Sequence, residues 1–222
     1  MHNADSITLI INDKYYTFSI NDQSADQTGL LNEFDKTNSK NSVAYIDSNH
    51  FNIIPDTVFN ESKIDAYLSL TTEKLDSITP VTNKIPQLNS TILWTLNEKI
   101  KKTLILKNPG ITFHHLSELF INEPIEQNLH PEIKLRIAEN TLYILCFKQG
   151  KLQIVNRFSI SGPEDIIYYS LLCIENSGIK RENTFINIKG LYNDQLIDLM
   201  KNYFNSNKIF AQKDQSLKSF IK

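Results

Sequence analysis

The chain has 222 residues, 41% of them apolar and 22% charged, with 6 Gly and 7 Pro, which is globular composition and length enough for one large domain or two small ones. A net charge of -2 provides no global field for nucleic acid or anionic lipid, and no apolar run approaches the ~20 residues that span a bilayer. The start, Met1-His2-Asn3-Ala4-Asp5, has no basic region followed by an apolar stretch, so no signal peptide is expected and the protein reads as soluble and cytoplasmic. Cys146 and Cys173 both lie in apolar runs and read as buried, reduced thiols.

Residues 7–11 and 15–20 are two β-rich runs joined by Asn12-Asp13-Lys14, a hairpin. Residues 21–41 are polar apart from Leu30-Leu31 and Phe34 and read as a loop with one helical turn. A second hairpin is expected from Val43–Ile46, a turn at Asp47-Ser48-Asn49, and Phe51–Ile54, stopped by Pro55. Asn60-Glu61-Ser62 opens a helix with Ile64, Tyr67 and Leu68 on one face. Residues 71–90, with Pro80 and Pro86, read as a connector with at most one edge strand. Thr91–Leu96 is a strand holding the lone Trp94, and a helix over 97–107 ends before Pro109-Gly110. The 111–121 stretch carries both periodicities. Ile111, Phe113 and His115 favour a strand; Phe113, Leu116 and Phe120 favour a helix. The polar stretch from Glu123-Pro124 to His130-Pro131 marks a boundary between halves, which places one half at 1–125 and the other at 131–222.

The second half is plainer. Ile133, Leu135 and Ile137 alternate with Lys134 and Arg136, the pattern of a strand with one wet face. Leu142–Phe147 is apolar on both faces and reads as a central strand; Gln149-Gly150 turns the chain and 152–160 returns. Ser161 and Glu164 have capping-box spacing ahead of a helix over 163–176 that Gly178 closes, and Pro163 sits in its first turn. Ile166, Tyr169, Cys173 and Ile174 are expected to be buried. A strand over 184–188 follows, then a helix over 194–204 with Leu196, Ile197, Leu199, Met200 and Tyr203 inward, and Ile209–Ala211 reads as a short edge strand.

Three strands, a helix, a strand and a helix is the order used by ribonuclease-H-like and actin-like ATPase folds. The second half, over about residues 132–205, has this order, so the fold class expected is α/β, with a sheet flanked by helices. Phe51-Asn52-Ile53-Ile54-Pro55 with Phe59 and Tyr67-Leu68, and Asn156-Arg157-Phe158 with Pro163-Glu164-Asp165, Tyr168-Tyr169 and Gly190, resemble a bacterial family designated domain of unknown function 3822. That family is in turn similar to the actin-like ATPases, notably the pilus-assembly ATPase-like proteins. The resemblance implies an α/β fold of two ribonuclease-H-like (actin-like ATPase) subdomains, with mixed β-sheets flanked by helices, facing a cleft, and it implies no activity.

Actin-like ATPases place Asp- and Gly-bearing hairpins against phosphate, where the backbone must approach closely. Here those turns are Asn12-Asp13-Lys14 and Ala138-Glu139-Asn140-Thr141, without glycine, and Gly190 stands alone before Leu191 where paired glycines are usual. Gly190 also has a plain reading as a permissive strand-to-helix turn. A nuclease reading would draw on Glu139, Glu164, Asp165, Asp194 and Asp198, but the acid wanted in mid-strand is Leu135, and capping explains Glu164 and Asp165. His114 and His115 are adjacent and point apart, a poor metal pair that reads as a surface pair or one half-buried histidine. Lys99, Lys101 and Lys102 read as a solvated basic face, and Tyr168-Tyr169 as helix core more than partner anchor. No residue is assigned a catalytic, cofactor-binding or metal-ligating role, and no cofactor is expected. The function expected is a non-catalytic scaffold or interaction module with a protein partner or a second copy and no nucleic acid; the alternative is a divergent ATP-binding or metal-dependent nuclease enzyme. Tyr15, Tyr16, Tyr168 and Tyr192 are the aromatics that would anchor an interface.

Overall fold

A computed structural model describes residues 6–11, 15–20, 23–30, 41–71, 77–125, 129–138 and 140–213. The chain divides into two compact units between Glu118 and Leu119.

In the first unit, β1 (Ser6–Ile11), β2 (Tyr15–Ile20) and β3 (Gln23–Leu30) form an antiparallel meander. β4 (Asn41–Ile46) runs parallel to β1. The chain then leaves this sheet to build a smaller one from β5 (Phe51–Pro55), β6 (Ile78–Ile85) and β7 (Ser90–Asn97), antiparallel in the order β5-β7-β6. Helices α1 (Ile64–Leu68) and α2 (Glu98–Lys107) belong to this excursion. β8 (Ile111–His115) returns parallel to β4 and completes the order β3-β2-β1-β4-β8. Pro80 is tolerated because β6 is an edge strand, where a missing donor breaks no ladder. α2 starts where Asn97 Oδ1 accepts the Lys99 and Ile100 amides, at 2.9 and 3.3 Å.

Two expectations fail here. Residues 23–30 are a strand, not a loop, because antiparallel pairing with β2 supplies the ladder that their polar composition does not advertise. The expected hairpin over 43–54 does not form. β4 pairs in parallel with β1 and β8, while β5 pairs with β7, so the turn at 47–49 joins two different sheets. The 111–121 stretch takes both of its periodicities in turn, as β8 and then α3 (Ser117–Ile121). Asn12-Asp13-Lys14, Leu31 and Phe34 lie outside the described residues.

In the second unit, β9 (Glu132–Ala138), β10 (Thr141–Lys148) and β11 (Lys151–Ser159) form the meander. α4 (Pro163–Asn176) leads to β12 (Phe185–Gly190), parallel to β9, and α5 (Asp194–Tyr203) leads to β13 (Ile209–Lys213), parallel to β12. The order is β11-β10-β9-β12-β13. Gln149 and Gly150 both take positive φ, 51° and 71°, the mirror-image turn that matches strand twist. One sheet face (Ile133, Leu135, Ile137, Leu142, Ile144, Ile186, Ile188) packs against Ile166, Ile167, Cys173 and Ile174 of α4 and Leu196 and Met200 of α5. Each such burial is worth about 1.5–3 kcal/mol. Tyr169 is half-buried against this core, stacked on Phe158 at 4.1 Å between ring centroids.

The other face of β9 is not wet. Lys134 and Arg136 are each 1% exposed. Glu123 and Pro124 close over them: Lys134 Nζ donates to both carbonyls at 3.0 and 2.9 Å, and Arg136 donates through Nε and a second, short contact to both Glu123 carboxylate oxygens. Arg136 also donates to Asn187 Oδ1 at 3.0 Å, so its burial is compensated. Burial by itself would raise the Glu123 carboxyl, but the Arg136 bond and charge, with Lys189 and Lys134, hold it below the usual carboxylate range. Burial pulls the Lys134 ammonium below its ordinary value despite Glu123 and Glu132. The alternation that looked like a solvent face is a paired ionic layer. Tyr203, expected inward, is 44% exposed at the end of α5.

Candidate functional site

The second unit has a topological switch point. β9 leads outward to β10, while its parallel neighbour β12 leads through α5 to β13 on the opposite side. Crevices outside the carboxyl ends of such strands are where open α/β sheets bind ligands. A cavity of about 140 Å³ lies there, lined by Ile137, Asn140, Ile160, Ser161, Gly162, Pro163, Ile166, Leu191, Tyr192, Asn193 and Leu196.

Three backbone features shape it. Gly190 ends β12 at φ +116°, and a Cβ placed there would stand 2.0 Å from the Ile137 carbonyl oxygen. Only glycine lets the strands meet so closely, and Leu191 N–H donates to that same oxygen at 2.9 Å. The permissive-turn reading of Gly190 therefore holds, with close approach added to it. α5 begins where Asn193 Oδ1 accepts the Leu196 amide at 3.1 Å. α4 begins one residue later than its expected cap: the N-cap is Gly162, whose backbone is extended and which has no side chain to donate or accept. Asp165 rather than Glu164 reaches back, its Oδ2 accepting the Ser161 N–H at 2.7 Å. The expected Ser161–Glu164 capping box does not form, because a glycine sits at the cap, and Asp165 instead holds the amide of the residue before it.

The electrostatics follow. Two helix amino ends meet the cavity, each with partial positive charge that would draw an anion. Asp165 and Glu164 already stand on the end of α4; Glu164 Oε2 lies 3.1 Å from where a Gly162 Cβ would be. Asp194 stands at the start of α5, paired with Lys213 at 3.2 Å. Among the described residues no lysine, arginine or histidine lines the cavity. Burial and the Asp194 charge raise the Tyr192 phenol above its ordinary value, so it is a neutral hydroxyl at pH 7.

The acids named from sequence do not converge. Glu139 lies outside the described residues, Asp198 pairs with Lys201 at 3.0 Å, and among the described residues no three His, Cys, Asp or Glu side chains group to hold a metal ion. His115 is fully buried, not half-buried. Its Nε2 meets the Ser48 carbonyl at 3.0 Å and its Nδ1 the Ser117 hydroxyl at 2.7 Å, while His114 turns away to Glu118 at 2.9 Å. Ser117 is itself fully buried, so the pair braces the β8–α3 turn. Lys102 pairs with Glu98 at 3.0 Å, and Lys99 is exposed while Lys101 is half-buried. Cys146 and Cys173 are free and buried, and they contact each other from β10 and α4; their mutual bond and burial raise the Cys146 thiol, which stays protonated. Tyr168 is 61% exposed with its ring against Tyr169, and Tyr192 lines the cavity. The Tyr15 and Tyr16 side chains lie outside the description. Asn193 and the Glu123–Arg136 clasp carry no signal in the sequence; Glu123 stands in what reads as a boundary and has no periodic pattern around it.

A family model described as a protein of unknown function (DUF3822) matches residues 33–206. The chain belongs to the DUF3822 family. A search of curated proteins finds no match. Among solved structures, this DUF3822 chain is similar to a Bacteroides thetaiotaomicron protein with actin-like ATPase fold and unknown function. The TM-score is 0.83 at 20% identity, covering 93% of this chain and 90% of that one. It is also similar to a chain of a PilM–PilN type IV pilus biogenesis complex, with TM-score 0.50 and 9% identity, covering 99% of this chain and 94% of that one. These likenesses show the expected fold: this member of DUF3822 is an α/β protein with the actin-like ATPase fold. Among the described residues no helix is long and apolar enough to cross a membrane.

Proposed function

We propose that this chain is a non-catalytic, partner-binding form of the actin-like fold that neither binds nor hydrolyses ATP. The observation that carries the reading is the start of α4. Where a phosphate would approach, Asp165 holds the Ser161 amide and Glu164 lies over Gly162. Two carboxylates on that end repel a phosphate more strongly than a half-charge helix dipole attracts it. The turn beside it, Ala138 to Thr141, has no glycine to admit phosphate against the backbone. A protein partner is supported by the similarity to a chain solved within a pilus-biogenesis complex, and a reducing, cytoplasmic setting by two free buried thiols.

Calorimetric titration of the full chain with ATP and ADP, with and without Mg²⁺, tests this. The expected outcome is no saturable heat and no phosphate release above a buffer blank. Micromolar binding or Mg²⁺-dependent turnover would replace this reading with the enzymatic one.

A further inference from the structure

We propose that the outer edge of β11 is a self-pairing surface whose occupant is β11 of a second copy of this chain, antiparallel about a two-fold axis at Asn156. This deepens the partner-binding reading above, on which it rests, by naming the partner. Among the described residues nothing pairs with the outer side of β11. The Ile160 amide donates to the Asn140 carbonyl at 2.8 Å, and β11 then runs in register with β10 from Ser159 opposite Thr141 to Ile154 opposite Cys146. Opposed residues in an antiparallel ladder alternate between bonded and non-bonded pairs. Phe158, Asn156 and Ile154 therefore spend their backbone groups on β10, while Ser159, Arg157 and Val155 turn theirs outward. Such a row of open groups is a template for another strand. The other edges are blunted. β6 holds Pro80 and Lys84, and β5 ends on Pro55. Asn83 Nδ2 donates to the Phe113 carbonyl of β8 at 3.0 Å, β3 carries Asp26 and Gly29, and β13 has only five residues. β11 has nine residues with no proline or glycine, and its bulge at Gln153 leaves Ile154 to Ser159 regular.

The side chains select a second copy. Ile154, Val155 and Phe158 are only half-buried, so apolar surface remains at this edge. Pairing about Asn156 sets Ile154 against the second copy's Phe158, Val155 against its Arg157, and Asn156 against itself. The first is an aromatic–β-branched pair of the kind that stabilises sheets, and the last is an amide pair able to hydrogen-bond across the axis. Val155 and Arg157, whose backbone groups face outward, become the bonded pair. Arg157 is drawn back over its own sheet, Nη2 donating to Thr141 Oγ1 at 3.1 Å, so its charge does not bar the edge. Centring on Arg157 would oppose like charges, and centring on Val155 would run into the bulge. On the α4 side, Phe158 continues into Tyr169, with centroids 4.1 Å apart, and Tyr169 into Tyr168 at 5.2 Å. Tyr168 is 61% exposed, and a strand added to β11 runs beside this aromatic row.

Sedimentation velocity of the full chain over a concentration series tests this. A reversible dimer is expected, half-formed between about 10 μM and 1 mM. Asn156→Lys and Asn156→Asp each place like charges across the axis and should weaken it at least about tenfold. An equimolar mixture of the two variants should restore association to within about threefold of wild type, because only a residue on the axis meets its own copy. Asn156 is exposed, so both variants are expected to keep the wild-type melting temperature. A wild type that stays monomeric throughout overturns the proposal. So does a dimer that survives both charges, or a mixture that stays monomeric. None of these outcomes bears on ATP, whose saturable binding would defeat the reading above while leaving the dimer measurable.

Discussion

The two units share a plan and differ in what they place on it. Both sheets are a three-stranded meander followed by two parallel strands, so β1 and β9 hold the same central position, as do β4 and β12. The ladders can be laid over one another. Ile11 pairs with Ile46 as Ile137 pairs with Gly190, and the next amide, Asp47 or Leu191, donates back to Ile11 or Ile137 at 2.8 or 2.9 Å. In the first unit the ladder ends on a buried isoleucine, and the chain leaves to build a second sheet. In the second it ends on a glycine that cannot carry a side chain, and a helix starts beside a cavity. One residue before the end of β1 stands Ile10, 2% exposed; its counterpart on β9 is Arg136, 1% exposed. The same scaffold position is filled once by oil and once by an ion. The topology therefore fixes that a position is buried and leaves its chemistry to the neighbours that cover it.

Exchange at the ladder ends should break this comparison most forcefully. Gly190→Ala puts a methyl into the Ile137 backbone at positive φ, and a loss of about 4–5 kcal/mol is expected by urea denaturation, the exceptional end of single substitutions. Ile46→Ala should instead lose about 2–5 kcal/mol through an ordinary cavity. A Gly190→Ala protein within about 0.5 kcal/mol of wild type would show that the two ends are alike after all.

The ionic layer comes next. Arg136→Ala strands Glu123 and should cost about 3–4 kcal/mol, whereas Arg136→Met combined with Glu123→Leu should be close to neutral, since an apolar pair of similar volume often replaces a buried ion pair without loss. If the double variant is as unstable as the single, the resemblance between Arg136 and Ile10 is only positional. The pH dependence has a definite sign. Glu123 is depressed in the folded state, so its contribution is full above the ordinary glutamate value of 4.5 and disappears as pH falls through the lower folded value. Glu123→Gln should remove that part of the acid limb in a stability–pH series.

Smaller effects sharpen the picture of α4. Ile174→Ala should cost about 3 kcal/mol, because Ile174 is 4% exposed in the helix–sheet core. Six residues earlier on the same helix, Tyr168→Ala should cost only about 0.5 kcal/mol, since its ring is 61% exposed and only edges onto Tyr169. Equal losses at the two positions in thermal melts would mean that α4 is covered on both sides.

Much of this was legible in the chain. The meander of the second unit, α4 with its Gly178 stop at φ +63°, α2 behind Asn97 and the paired periodicities of 111–121 rest on local chemistry: caps, turn residues and alternation within one element. Those signals act over a few residues, so a single sequence carries them in full. The absence of glycine from the 138–141 turn was equally plain, since it needs only the residue names. Partnership between distant segments was not legible. Gln23–Leu30 became a strand because β2 was there to pair with it, and Val43–Ile46 declined its neighbour in favour of β1 and β8. Lys134 and Arg136 alternate like solvent-facing residues, and only the return of Glu123 and Pro124 across β9 turns them into a buried layer. The sequence by itself determined most of the elements and the glycine-free 138–141 turn, because these depend on residue identity and local backbone preference. The tertiary structure alone decided the sheet order, the ionic layer and the crevice, because each depends on which remote groups are brought within a few ångströms to satisfy hydrogen bonds and charge.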